Sequence, residues 1–191
     1  MESIYNKTMS ELEDYFLEKQ DKKFRAVQVF EWLYQKKVST FEEMSNLKKE
    51  VIATLEADFS ISSISIKKIE RDQDVSKYLF SLKDGEKIEA VLMNHHYGNS
   101  LCISTQVGCN MGCKFCESGR LKKVRNLETA EMVEQILKVE QEEHVRISHV
   151  VVMGIGEPFD NYDNLVKFIE IINHPKGLAL GSRCLLYTSP S

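Results

Sequence analysis

The stretch Gly108-Cys109-Asn110-Met111-Gly112-Cys113-Lys114-Phe115-Cys116 sets three thiols at the spacing C-x3-C-x2-C, with an aromatic residue just before the last. Iron–sulfur clusters usually take four cysteine thiolates. A compact loop that offers three leaves one iron without a protein ligand, free to bind a small molecule. The other reading is structural zinc, which normally takes four ligands. Cys102, His95 and His96 are the candidates for the fourth. Phe115 is expected to shield one face of a cluster and limit solvent access, a lever on its potential.

Ser100 to Val107 reads as a strand that runs straight into this loop. Before it come a polar turn over Asn94 to Asn99 and a strand from Ile88 to Met93. Asp84-Gly85 is a hairpin signal joining that strand to Lys77-Tyr78-Leu79-Phe80-Ser81-Leu82, and Ile64 and Ile66 start an earlier strand. After the loop, Asn126 and Thr129 are expected to cap a helix carrying Ala130, Val133, Ile136 and Leu137. Ser148 to Met153 is a short apolar strand, and Gly154-Ile155-Gly156-Glu157-Pro158 a loop. Tyr162 to Asn173 is amphipathic, with Leu165, Phe168, Ile169 and Ile172 on one side. Alternating strands and helices of this size imply parallel strands in an α/β barrel or open sheet. Both loops then lie at the C-terminal ends of strands, where the active sites of such folds gather.

Residues 8–58 carry helical spacing instead, at Leu12, Tyr15 and Phe16, at Val29, Phe30, Leu33 and Tyr34, and at Leu47, Val51, Ile52 and Leu55. Ser45-Asn46 is the expected cap of the last of these helices. With 191 residues, 42% hydrophobic and 28% charged, the composition is that of a soluble globular protein. The net charge of -4 gives no bulk argument for nucleic acid, which must be read from local patches. The N-terminus is polar with no apolar run after it, and no stretch approaches a membrane span. Five cysteines with three clustered do not form a secreted disulfide framework, so the expected compartment is the cytoplasm.

Four further residues stand out, each with a plain alternative. Gly156 lets backbone approach a ligand closely, and the Glu157 carboxylate can accept hydrogen bonds from an ammonium group. A Gly-x-Gly loop alone is weak; beside the cysteine motif it is strong. Cys102, in a strand, is either a small core hydrophobe or a functional thiol. Period two sets Glu89 on one face with Val91 and Met93. There it is either a water-facing carboxylate or a general base whose affinity for protons an apolar face raises.

The cysteine motif is that of radical S-adenosylmethionine enzymes, and the chain resembles one branch of them. The segments that carry the likeness are Gln106 to Cys116, Arg125-Asn126-Leu127-Glu128-Thr129, Val133-Glu134-Gln135-Ile136-Leu137, Val151 to Tyr162, and the helical stretch Lys23 to Tyr34. That branch is the bacterial dual-specificity 23S ribosomal and transfer RNA adenine-C2 methyltransferases, with their C8-directed antibiotic-resistance relatives. The resemblance runs from about residue 8 to residue 183. It implies a helical N-terminal accessory domain (1–59), a β-hairpin linker region (60–98) and the first part of a partial (β/α) barrel (99–183). It further implies a [4Fe–4S] cluster on Cys109, Cys113 and Cys116. Gly156 and Glu157 would hold the amino end of S-adenosylmethionine, and Glu89 would be the proton acceptor.

Such enzymes methylate a C-terminal cysteine with one S-adenosylmethionine and cleave a second to a radical that takes hydrogen from that methyl group. The resulting methylene radical adds to the adenine ring. Cys102 stands where the family keeps the resolving cysteine, which attacks the methyl-bearing sulfur and leaves a transient disulfide. The partners implied are 23S rRNA and tRNA and an external flavodoxin-like electron donor, with no membrane, for a monomeric protein. The basic run Arg120, Lys122, Lys123 and Arg125 then either meets RNA phosphates or is a solvated loop. The basic residues of the helical module carry the same two readings. Residues 117–124 depart from the family's small-residue segment, which bears on substrate preference. A non-catalytic metal-binding RNA module is the alternative from another class.

The ending Cys184-Leu185-Leu186-Tyr187-Thr188-Ser189-Pro190-Ser191 leaves the family pattern and looks like a translated sequencing adapter. On this reading residues 184–191 are an artefact and Cys184 is not the methyl-carrying cysteine. The chain is then an N-terminal fragment that lacks the methyl acceptor, exposes an edge strand and does not turn over. Resequencing the source DNA past Arg183 tests this: a different codon series is expected there, and the same eight codons recovered without an adapter would contradict it.

Overall fold

The computed structural model describes residues 1–186, so the adapter reading of 187–191 lies outside the described residues. The chain opens with β1 (Glu2–Ser3) and three helices, α1 (Met9–Glu18), α2 (Phe24–Tyr34) and α3 (Lys49–Asp58), followed by β2 (Phe59–Ser60). Leu12, Phe16, Val29, Phe30, Leu33, Tyr34 and Leu55 bury as their spacing requires. Thr8 and Glu11 form a capping box that starts α1, with Thr8 N–H donating to Glu11 Oε2 at 2.8 Å. The expected cap at Ser45-Asn46 is corrected: α3 starts after Lys48. Asn46 Oδ1 accepts the indole N–H of Trp32 at 2.6 Å instead. Parallel pairing of β1 with β2 ties the start of this module to its end.

The remaining strands are β3 (Ile64–Asp72), β4 (Val75–Leu82), β5 (Lys87–His95), β6 (Gly98–Cys102), β7 (Gln106–Val107), β8 (Arg125–Asn126), β9 (Ile147–Val151) and β10 (Leu185–Leu186). Two helices cross between them, α4 (Thr129–Glu143) and α5 (Tyr162–Asn173). Six strands form one sheet in the order β10-β9-β6-β5-β4-β3. The β6–β9 and β9–β10 pairs are parallel and the others antiparallel. This is the expected α/β class, and α4 and α5 are the crossovers that parallel neighbours need. The 98/99 line between linker and barrel falls inside the β5–β6 hairpin of this continuous sheet. Asn94 to Asn99 is mostly strand, because pairing runs on to His95 opposite Gly98. The expected Ser100–Val107 strand is two short ones, β6 and β7, with residues 103–105 leaving the sheet between them.

Along β4 and β5 burial alternates. Tyr78, Phe80, Leu82, Ile88, Ala90 and Leu92 are buried, while Lys77, Leu79, Glu89, Val91 and Met93 are half-exposed. One face of the sheet is thus core, and the other is open.

Helix α4 packs against α5, β3 and the Ile4–Asn6 turn, and is buried nearly all round. Its cap differs from the expected one. Glu128 is the N-cap and pairs with Glu131 in a capping box, whereas Asn126 lies in β8 and Thr129 Oγ1 donates to the Asn164 carbonyl at 3.3 Å. Glu134 on α4 is buried, and burial raises its proton affinity against the donors around it. It accepts from Ser63 N–H at 2.7 Å, Ile64 N–H at 3.3 Å, Ser62 Oγ at 3.1 Å and Ser63 Oγ. This carboxylate holds the link between helical module and sheet. Glu134→Ala leaves buried N–H groups unpaired, so denaturant unfolding should show a loss of about 1–3 kcal/mol. No measurable loss would contradict that role.

Candidate active site

Cys109, Cys113 and Cys116 lie on the loop between β7 and β8, beyond the C-terminal end of β6. The loop is closed at its base by the antiparallel pairs Gln106↔Asn126 and Val107↔Arg125. Cys109 N–H donates to Leu121 O at 2.8 Å and Val124 N–H to Val107 O at 2.8 Å. Gly108 has φ +72°, and a Cβ there would come within 2.2 Å of Lys122 O, so closure requires glycine at this position. Arg125 forks onto Glu131 at 2.7 and 2.8 Å and reaches Asp84 at 2.6 Å. Within the basic run, Arg125 clamps the β4–β5 turn, β8 and α4 together. Phe115 is 86% exposed.

The donor set tests which group this loop suits. All five cysteines are free and partly exposed. Among the described residues, no three His, Cys, Asp or Glu side chains converge into a ready-made metal cage. His95 and His96 lie at the opposite end of β6, whose length at about 3.3 Å per residue separates them from the loop. They cannot supply a fourth zinc ligand without unpairing the hairpin. Three thiols on one loop fit a cluster with an open iron.

The Gly154–Glu157 loop leaves β9 at the same end of the sheet. Its backbone is fastened to the segment before the cysteines: Thr105 and Gln106 both donate to Ile155 O, at 2.9 and 3.1 Å. Gly156 has φ +109°, and a Cβ would sit 2.6 Å from Gln106 Cβ. At Gly154 a Cβ would sit 2.6 Å from Ile103 O. Both glycines are therefore required by close contact with residues 103–106 of the chain itself. Glu157 is buried; its N–H donates to Gln106 Oε1 at 2.9 Å, and its carboxylate accepts Phe159 N–H at 3.2 Å.

Cys102 pairs with Val91, so both project onto the open face. Glu89, two residues from Val91, shares that face and is a diagonal neighbour of Cys102. Glu89 stands opposite Leu79 in the ladder and beside Val91, but it is half-exposed and Lys77 Nζ reaches it at 3.4 Å. Burial pushes the Cys102 thiol up, partly offset by the Met153 N–H against it.

Sequence reasoning missed the buried polar residues between these parts. Ser104 Oγ donates to the Glu89 carbonyl at 2.6 Å and accepts from Ile155 N–H at 3.0 Å. Gln135 exchanges hydrogen bonds with the Ser104 backbone at 2.9 and 3.0 Å. Asn161 donates to the carbonyls of Thr105 and Leu127 at 2.9 and 2.8 Å. The available signal was a run of polar residues, Ser104-Thr105-Gln106, inside an otherwise apolar strand.

Known proteins carry the same arrangement. Residues 103–191 match the Radical SAM superfamily model, and residues 3–61 match the model described as ribosomal RNA large subunit methyltransferase N-terminal domain. A radical SAM methyltransferase from Sphaerobacter thermophilus superposes with a TM-score of 0.89 at 30% identity, over 97% of this chain and 56% of that one. Fold and site define a radical SAM protein. The "Probable dual-specificity RNA methyltransferase RlmN" of Acholeplasma laidlawii is 52% identical over 94% of this chain and 54% of its own length. That of Shouchella clausii is 53% identical over 95% and 53%. The chain belongs to the RlmN family of radical SAM methyltransferases, and it spans about half the length of the curated relatives it matches. The family implies a [4Fe–4S] cluster and S-adenosylmethionine.

The raised Cys102 thiol has a smaller thiolate fraction at any pH below its folded-state pKa, and the thiolate is the reactive form. Alkylation at pH 8 should therefore be slower at Cys102 in the folded chain than in urea, beyond the effect on a small-molecule thiol. Equal rates would contradict the burial.

Proposed function

We propose that the chain is the cluster-binding portion of a radical S-adenosylmethionine methyltransferase that methylates C2 of adenosine in 23S rRNA and tRNA. The observation that carries this reading is the meeting of the cysteine loop and the Gly154–Glu157 loop at one end of the sheet. They are joined through Thr105 and Gln106 beside the open face that bears Cys102 and Glu89. Cys109, Cys113 and Cys116 would hold the cluster. When bound, the [4Fe–4S] cluster supplies the electron that cleaves S-adenosylmethionine and opens radical methyl transfer.

The chain's own residues do the rest by placement. Glu157, with the backbone at Gly156, receives the ammonium end of the cofactor. Glu89 accepts a proton on the open face, where Lys77 Nζ stands 3.4 Å from its carboxylate. Cys102 is the resolving thiol. It must lose its proton as it attacks, so its burial holds it neutral until a partner sulfur arrives. The rim basic residues Lys122 and Lys123 meet RNA phosphates; Arg125 does not. The base itself must be splayed out to reach such a site. No helix among the described residues is long and apolar enough to cross a membrane. The protein acts in the cytoplasm as a monomer, with an external flavodoxin-like reductant.

Two measurements test this. Anaerobic reconstitution should give about four iron and four sulfide per chain, lost on Cys113→Ala and kept on Cys102→Ala. Zinc without sulfide would make the chain a metal-binding RNA module. A full-length protein carrying residues 1–183 should yield 2-methyladenosine by mass spectrometry of 23S rRNA and tRNA. 8-Methyladenosine instead would overturn the C2 assignment.

A further inference from the structure

We infer that Gln106 is the positioning residue that sets the Gly156-Glu157 loop against the cysteine loop. It stands three positions before the first cluster cysteine, and its side chain is fully buried. Its Oε1 accepts the Glu157 N–H at 2.9 Å, and its Nε2 donates to Asn126 Oδ1 at 2.8 Å. Asn126 is Gln106's partner across the β7–β8 ladder that closes the cysteine loop. Its Nδ2 reaches on to Asp160 O at 2.9 Å, beyond Glu157. A single carboxamide thus joins the base of one loop to the second loop's acidic residue. The absence of a side chain at Gly156 is what lets the Gln106 stem lie against that backbone.

The geometry suits an amide and not its near relatives. Gln106 uses an acceptor toward Glu157 and a donor toward Asn126. Leucine offers neither, and glutamate would bury a second carboxylate beside Glu157. Gln106 touches no reacting atom in this arrangement; it acts through Glu157. Its relevance to the cofactor rests on the reading of Gly156-Glu157 as the cofactor-binding pair.

The test uses the 191-residue chain with Gln106→Leu, and with Asn126→Ala as a milder second variant should the first fail to fold. Amide exchange at Glu157, followed by NMR on the metal-free chain, should quicken about tenfold or more in Gln106→Leu, the scale of one lost hydrogen bond, and by a smaller factor in Asn126→Ala, which frees the Gln106 carboxamide at its other end. Exchange at Leu101 and Val150 in the sheet should stay unchanged. Unchanged exchange at Glu157, or equal acceleration across the sheet, overturns the inference. On the reconstituted chain, equilibrium dialysis should show S-adenosylmethionine binding weakened about tenfold or more at equal iron content. Unaltered binding would likewise overturn it. If the unsubstituted chain takes up no S-adenosylmethionine, the reading of the Gly156-Glu157 pair falls, while exchange at Glu157 still decides whether Gln106 holds the loop.

Discussion

Helix α4 is buried nearly all round, and a buried polar group must find a hydrogen-bond partner or cost the fold several times what the bond contributes. Four of its polar side chains meet that constraint, each against a different part of the chain. Glu131 takes Arg125 beside the cysteine loop, Glu134 the Ser62–Ile64 link, Gln135 the Ser104 backbone, and Glu140 the Ile147 N–H at the start of β9 together with Lys37. A helix with an ordinary apolar stripe would hold the sheet but would not fix the loops at its end. Here the loops are fixed to the helix that the core itself holds.

The same logic continues through residues 104–106, which leave the sheet just before the cysteine loop. Ser104 and Gln106 bond through their side chains to the Glu89 carbonyl and the Glu157 N–H, and Thr105 through its backbone N–H to Ile155. The segment that breaks the expected long strand is therefore the one that brings the four candidate site elements to one place. Cys102 and Glu89 stay on the open face because the pairing Val91↔Cys102 puts them there.

Much of this was legible in the sequence. The cysteine spacing, the hairpin at Asp84-Gly85, the apolar β9 and the stripe of α5 depend on local pattern, and the structure has them, with β9 at Ile147–Val151 in place of Ser148–Met153 and Ile171 buried where Ile169 is half-buried. What was not legible depends on tertiary partners. Glu131, Glu134 and Gln135 have the composition of a solvent face, yet they are buried because three separate segments converge on α4. Arg125 belongs to a basic run, but only the fold brings Asp84 to it across 41 residues. At Gly154 and Gly156 only the fold shows the close contacts with Ile103 and Gln106 that demand glycine there. Glu89 shares a face with apolar residues by period, but the face is open and carries Lys77.

The central claim is that three thiolates hold a cluster whose remaining iron is open to a small molecule. Electron paramagnetic resonance of the reconstituted, reduced chain tests it most directly, with and without S-adenosylmethionine labelled at its carboxylate and amino group. The account predicts a [4Fe–4S] signal that changes on addition and shows coupling to the labelled atoms. A cluster signal indifferent to S-adenosylmethionine would contradict it.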